Sequence, residues 1–573
     1  LKSTIPFPKV LHDTKIISKL LLDQGWSLGI LVEHEEVPFA CLKEEYISWI
    51  PEFQFHAEVV IANMGSIVQE YDPAHDGAYS PRQVTFEYSS RIQKELQKNG
   101  ISRPKGYTVS WHSNPEAEGH HFGPTHPMKP FRLTLTKSLV MAYGMHEAMD
   151  CYLSRAATRE ELLNYHIEEY VDFLLQVTPD NIFKLYPTLE ENTGYTSSVF
   201  GVGDDCPIFD GLGNYASLYA GATIDAARKL GNNQSDIAIN WSGGLHHAQK
   251  THASGFCYVN DIVLGILQLL RTHARVLYID IDVHHGDGVE NAFWSTDRVF
   301  CISFHKYDPE TFFPGTGPLE SQGPSHPDNP GKKHTINVPL QDGIDDESYK
   351  YLFEAVVGET IDRYDPSAIV LQCGADSLGH DRLGMFNLNI KGHGNCVRFV
   401  KTFRKPLLVV GGGGYTPRNV ARAWAHETSI CIGADHKLDP NLPEGMPFRN
   451  AFDKEGPTLF PNLGNWKHQN ANSPQYLEKI LESVREQLRY LKGAPSVQMS
   501  HIPPDLQGWR EDLDESRRAA LRQQEEIKEE RDGAGGPIAK AGRRRVQERG
   551  MLARDGWEDG GGNGGSGMLT VSD

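Results

Sequence analysis

Four separate apolar runs, each ending in a polar cluster, constrain this chain more than any other feature of its sequence. The first, residues 236–241, is followed by Ser242, Gly243, Gly244, Leu245, His246 and His247. The second, 275–283 (RVLYIDIDV), runs into His284, His285, Gly286 and Asp287. The third, 368–373, precedes Gly374, Ala375 and Asp376, and the fourth, 407–410, precedes four glycines and Tyr415. Between residues 107 and 504 such short β-branched runs alternate with helical patterns. That alternation predicts an α/β domain: βαβ units around a single parallel β-sheet with helices on both faces. Ligands of open α/β sheets bind beyond the carboxyl ends of the strands, so the four clusters are where chemistry is expected.

The flanks differ in texture. Residues 1–106 mix helical and Pro-containing loop patterns without a chemical motif, and form an amino-terminal extension of unknown role. Residues 505–573 start with a charged helical pattern and dissolve into Gly-rich sequence, which reads as an exposed, poorly ordered tail. Within it Arg543, Arg544 and Arg545 read either as part of a nuclear import signal or as a solvated basic cluster. The chain of 573 residues carries 75 acidic and 56 basic side chains, a net −19. This disfavours sequence-independent binding to DNA phosphates and suits a basic partner. Its eight cysteines show no CxxC pair or disulfide framework, so a reducing compartment is expected. No apolar stretch reaches the roughly 18 residues of a membrane span, and no membrane association is expected. The opening Leu1 in place of Met leaves room for an earlier segment, a targeting signal included.

The second run is the most specific. Strand periodicity would project Asp280, Asp282 and His284 to one face and Ile279, Ile281 and Val283 to the other. Two buried carboxylates need a cation or hydrogen-bond donors; the alternative is an edge strand with a solvated acidic face. A catalytic zinc ion takes three nitrogen and oxygen ligands and keeps one position open. Asp282 and His284 can supply two, and Asp376 is the natural third, although alone it would read as an ordinary loop carboxylate. The His246–His247 pair after two glycines suits a tight turn with close backbone approach to a ligand; alone it would equally suit two satisfied histidines at a strand end.

The strings HPMKPFR (126–132), DIAINWSGGLHHA (236–248), ASGFCYVNDI (253–262), YIDIDVHHGDGVENAF (278–293), SFHKY (303–307), FPGTG (313–317), LQCGADSLGHDRLG (371–384) and GGGGYTPRNVAR (411–422) occur in order. Together they resemble the class I zinc-dependent histone deacetylases, of the arginase/deacetylase superfamily. The resemblance covers about 107–504 and implies the arginase-like deacetylase fold. It assigns Asp282, His284 and Asp376 to zinc, His247 to general base and acid, His246 to electrostatic support, and Asp280 and Asp287 to orienting the two rings. Tyr415 would donate to the oxyanion. Phe256 and Phe313, with Gly255 and Leu383, would wall an acetyl-lysine channel, and Asp205 would grip the substrate backbone. A potassium ion is implied at Asp280, Asp282, His284, Ser303 and Phe304. An inositol polyphosphate is implied at His121, Lys129, Arg382 and Arg418, at a junction with a co-repressor subunit.

The implied activity is hydrolysis of N6-acetyl-lysine in histone tails, with transcriptional repression in the nucleus and the cytoplasm as a second location. Two other readings stand beside it: a deacetylase of small acetylated amines, and a catalytically silent acetyl-lysine-binding scaffold. Three departures from the family pattern matter. The segment 308–312 is longer than in many members, Thr125 replaces a common Gly, and Phe131 replaces a common His. The amino-terminal hundred residues are also foreign to the pattern; an added module or an incorrect gene model would each explain them.

Overall fold

The computed structural model describes residues 29–32, 35–38, 81–185, 200–203, 205–464 and 468–491. Most of the expected amino-terminal extension and all of the tail at 505–573 lie outside the described residues. A small antiparallel pair, β1 (Gly29–Val32) and β2 (Glu35–Pro38), precedes the main body.

The body is built on eight parallel strands: β3 (Val109–Ser113), β4 (Asp150–Leu153), β5 (Ile237–Asn240), β6 (Val276–Asp280), β7 (Val299–Lys306), β8 (Thr335–Leu340), β9 (Ala368–Gln372) and β10 (Leu407–Val410). Their spatial order is β4-β3-β5-β10-β9-β6-β7-β8. The inner strands are buried along their length and largely apolar up to their last residues, Asn240, Asp280 and Gln372 in three of them, as a parallel sheet covered on both faces requires. The expected single parallel sheet is therefore observed. Its order has a functional consequence: the four strands that carry the polar clusters, β5, β10, β9 and β6, are adjacent at its centre.

The helix Pro417–Cys431 is buried over nearly its whole length, between the helices Phe131–Ala142 and Ile390–Lys401. Trp424 on that helix stacks on Trp241 just past β5, with ring centroids 5.3 Å apart and planes 9° from parallel. The indole of Trp424 donates to the Cys373 carbonyl at 2.8 Å and that of Trp241 to the Thr428 hydroxyl at 3.0 Å, so neither buried ring strands its N–H. These bonds fix the helix to the ends of β9 and β5. Among the described residues, no helix is long and apolar enough to cross a membrane.

One part of the strand expectation is corrected. The run 275–283 was expected to stay extended to Val283, but β6 stops at Asp280. Beyond it the Asp282 amide donates to Asp280 Oδ1 at 3.1 Å and the His284 amide to Asp282 Oδ1 at 3.0 Å. Two successive side-chain-to-backbone bonds of this kind compete with the ladder and bend the chain. The carboxylates converge through a turn, not through strand alternation.

Away from the sheet ends, the fold sets an acid limit. Buried His166 accepts from the Asn260 amide at Nε2 (3.0 Å) and faces the Lys250 carbonyl with Nδ1 (3.3 Å), which fits one neutral tautomer. Burial lowers its pKa to about 4. A group depressed in the folded state contributes stability that is present above its unfolded pKa, near 6.5, and is lost as the pH falls toward the folded value. Unfolding free energy is therefore expected to drop by up to about 3 kcal/mol from this site between pH 6.5 and 4. Denaturant titrations across that range check it, and His166→Gln should show a shallower fall.

Candidate metal and catalytic site

At the carboxyl ends of the four central strands, ligand atoms of Asp282, His284 and Asp376 lie within 4.8 Å of one another, all buried. His284 Nδ1 is 3.1 Å from Asp282 Oδ1 and 3.1 Å from Asp376 Oδ2. The outer carboxylate oxygens are fixed from behind. Asp282 Oδ2 accepts from the Gly413 amide at 2.8 Å and from Gln372 Nε2 at 2.9 Å, and Asp376 Oδ1 accepts from the Val283 amide at 2.9 Å. Burial and the charge of Asp282 push the Asp376 carboxyl up to about 7. A divalent cation removes the conflict between two buried carboxylates, and one imidazole nitrogen with two carboxylate oxygens is a donor set that zinc accepts. The residues present fit the metal that the sequence implied.

The glycine run brings the backbone this close. A Cβ on Gly413 would lie 2.0 Å from Asp376 Oδ2 and 2.9 Å from Asp282 Oδ2, so no side chain is possible there. The carbonyls of Gly412 and Gly414 accept from Arg132, the latter at 2.7 Å, and the Tyr415 amide donates to Asp381 Oδ2 at 2.7 Å. Tyr415 is thus oriented through its backbone from two sides, and its ring meets Phe256 edge to face at 5.6 Å.

The paired histidines stand side by side, centroids 3.9 Å apart, in different electrostatic settings. His246 Nδ1–H donates to Asp280 Oδ2 at 2.7 Å, and His247 Nδ1–H donates to Asp287 Oδ1 at 2.7 Å. Burial works against charge on both. For His246 the charges of Asp280 and Asp282 overcome it and raise the ring to about 9. For His247 burial, reinforced by the charge of His246, lowers it to about 4. One ring is held cationic and its neighbour neutral, the separation that divides acid from base roles between like groups.

Gly255, Phe256 and Phe313 stand around these catalytic groups. A Cβ at Gly255, where φ is +51°, would come 2.5 Å from the His247 ring and 2.9 Å from that of Phe313. Phe313 stands edge-on to His247 at 4.9 Å and stays 42% exposed, which makes it a rim residue and not core. Leu383 is half-buried, packed against the same apolar cluster as Phe256 and Tyr415. Asp205 is exposed, with its backbone carbonyl 3.2 Å from His126 Nε2. The longer segment 308–312 is compacted by Asp308, which accepts from the Glu310 and Thr311 amides at 3.0 and 3.2 Å. It delivers Phe312 onto His284, rings 5.1 Å apart and 7° from parallel. Of the residues implied for potassium, Asp280 and Ser303 are register partners in β6 and β7, and buried Phe304 follows Ser303.

Of the four residues implied for an inositol polyphosphate, His121 and Arg382 are exposed, while Lys129 and Arg418 already have partners. His121 is exposed and accepts from the Gly123 amide at 2.9 Å, while Lys129 donates to the Gly123 and Pro124 carbonyls at 2.8 and 3.0 Å. Burial, then the nearby charge of Arg382, lowers the Lys129 ammonium. The Nε and Nη2 donors of the Arg418 guanidinium are bonded to the carboxylate of Glu455, with Nη2 to Oε1 at 2.5 Å. Phe131, in place of the common His, packs edge-on to Phe448 at 5.6 Å.

Sequence reasoning assigned no role to Arg132, Gln372, Asp381 or Phe312. The first three fall inside the motif strings, but their partners are up to 282 residues away, beyond the reach of any spacing argument. Asp261 is similar: fully buried, it accepts from the Gly244 and Leu245 amides and so shapes the turn that presents the histidines.

Residues 126–431 match the family model described as the histone deacetylase domain. The chain is 51% identical over 402 residues to histone deacetylase B of Dictyostelium discoideum, covering 70% of this chain and 90% of that protein.

Proposed function

Since this chain belongs to the histone deacetylase family and is a deacetylase hydrolase, we propose that it uses zinc to hydrolyse N6-acetyl-lysine in histone tails, releasing acetate. The observation that carries the reading is the convergence of Asp282, His284 and Asp376 beside the His247–Asp287 pair, with Gly255 and Phe313 close against the His247 ring.

Zinc, when bound by those three side chains, would supply a Lewis acid for the acetyl carbonyl and lower the pKa of a water toward about 7. Neutral His247 takes the proton of the attacking water through Nε2, while Asp287 holds Nδ1–H and so fixes the tautomer. The same nitrogen then returns the proton to the departing lysine amine. His246, held cationic by Asp280, stabilises the negative charge that develops, and Tyr415 donates to the former carbonyl oxygen. Phe256 and Phe313 admit the neutral acyl-lysine stem and disfavour the charged product amine. Asp205 at the rim suits the backbone amides and basic flanks of a histone tail, in keeping with the net charge of −19. A potassium ion at Asp280, Asp282, His284, Ser303 and Phe304 belongs to the same reading, as do nuclear residence, co-repressor partners and transcriptional repression. An inositol polyphosphate is left out of it, because the Nε and Nη2 donors of Arg418 are bonded to Glu455.

The experiment measures metal content together with hydrolysis of an acetylated histone-tail peptide and of an acetylpolyamine. About one zinc per chain is expected, with peptide turnover lost to a chelator and restored by zinc. Turnover that survives complete metal removal would end the zinc reading; preference for the polyamine would end the histone one.

A further inference from the structure

Glu455, the last residue of the short helical segment Arg449–Glu455, takes no part in the chemistry above, yet it is closely held. Its side chain is only 9% exposed and grips two arginines of one helix. Both Nε and Nη2 of Arg418 donate to it in a two-pronged ion pair, and Arg422 Nη1 lies 3.4 Å from Oε2. Arg422 is fully buried, and its other donors go to the Phe452, Gly456 and Thr458 carbonyls at 3.0, 2.9 and 2.9 Å. Without Glu455, no carboxylate among the described residues would be bonded to either guanidinium group.

The helix they occupy, Pro417–Cys431, starts two residues after Tyr415. Its first turn has no acidic residue and its N-cap, Thr416, makes no side-chain cap. Arg418 there stands at the positive end of the helix dipole, where a cation is disfavoured. The arrangement calls for an anion, and this chain brings one from the segment Arg449–Glu455.

We infer that Glu455 is a positioning residue that serves the catalytic domain as a built-in anion: it neutralises Arg418 and Arg422 and pins the start of helix Pro417–Cys431, so that Tyr415 is held in place without an external polyphosphate. The inference rests on the deacetylase reading, with Tyr415 as the oxyanion donor. It departs from what the motif containing Arg418 implied, since the Nε/Nη2 fork of that arginine is already closed on a carboxylate.

The test uses the full chain and inositol hexakisphosphate as probe. By calorimetry the wild type should show no saturable binding, and its kcat on acetyl-lysine peptide should not respond to the probe. In Glu455→Gln the fork opens. This variant should bind the polyphosphate, and without it kcat should fall about tenfold, as for a small misplacement of a catalytic group. KM should be nearly unchanged, and adding the probe should restore kcat. Binding by the wild type with a rise in turnover overturns the inference. So does a folded variant that keeps its kcat, or one whose loss the polyphosphate fails to reverse. The wild-type calorimetry needs neither a stable variant nor turnover. A wild type inactive on the peptide therefore counts against the deacetylase reading and leaves the anion result standing.

Discussion

His247→Ala is expected to lower kcat by roughly 10² to 10⁴, the range for a positioned general acid and base. His247 is the neutral member of the pair, and its Nδ1–H is committed to Asp287 at 2.7 Å, so Nε2 is the nitrogen free to exchange a proton with the reacting groups. The ring is not among the three metal-type ligands, so zinc content should stay at the wild-type level. Single-turnover rates with matched metal analysis check this. A mutant of ordinary activity, or one that has simply lost its zinc, would place the proton transfer elsewhere. His246 offers the internal contrast, since the carboxylates of Asp280 and Asp282 beside its ring favour the charged form.

Tyr415→Phe is expected to cost about 10² to 10³ in kcat, the usual effect of deleting one oxyanion donor. The substitution keeps the ring that packs edge-on against Phe256 and the backbone held by Asp381 and Arg132, so the fold, the channel and metal binding should be unaffected. Substrate KM should change little, because the hydroxyl is needed for the developing charge more than for the ground-state carbonyl. Near-normal turnover in this variant would remove Tyr415 from the mechanism. A large rise in KM at constant kcat would recast it as a binding residue.

Much of this site was legible beforehand. Asp282, His284 and Asp376 could be nominated because buried carboxylates at a strand end demand a cation, and the motif strings supplied the pairings of His246 with Asp280 and His247 with Asp287. The structure brings each of these groups together. What spacing misjudged was the backbone between Asp280 and His284. Strand alternation assumes that the ladder continues, whereas each aspartate captures the amide two residues ahead and turns the chain. Phe312 on His284 was hidden for a related reason: it depends on how Asp308 folds a segment whose extra length was visible but whose path was not.

The sequence alone settled the α/β class, the place of the chemistry at strand ends and the kinds of side chain that perform it, because apolar period, turn glycines and donor chemistry are local properties. Only the tertiary structure decided that β5, β10, β9 and β6 stand side by side, that Gly413 touches two carboxylates, and that Glu455 closes on Arg418. Those facts depend on strand order and on contacts across tens to hundreds of residues, which are set by how whole elements pack and leave no mark on the spacing of any one motif.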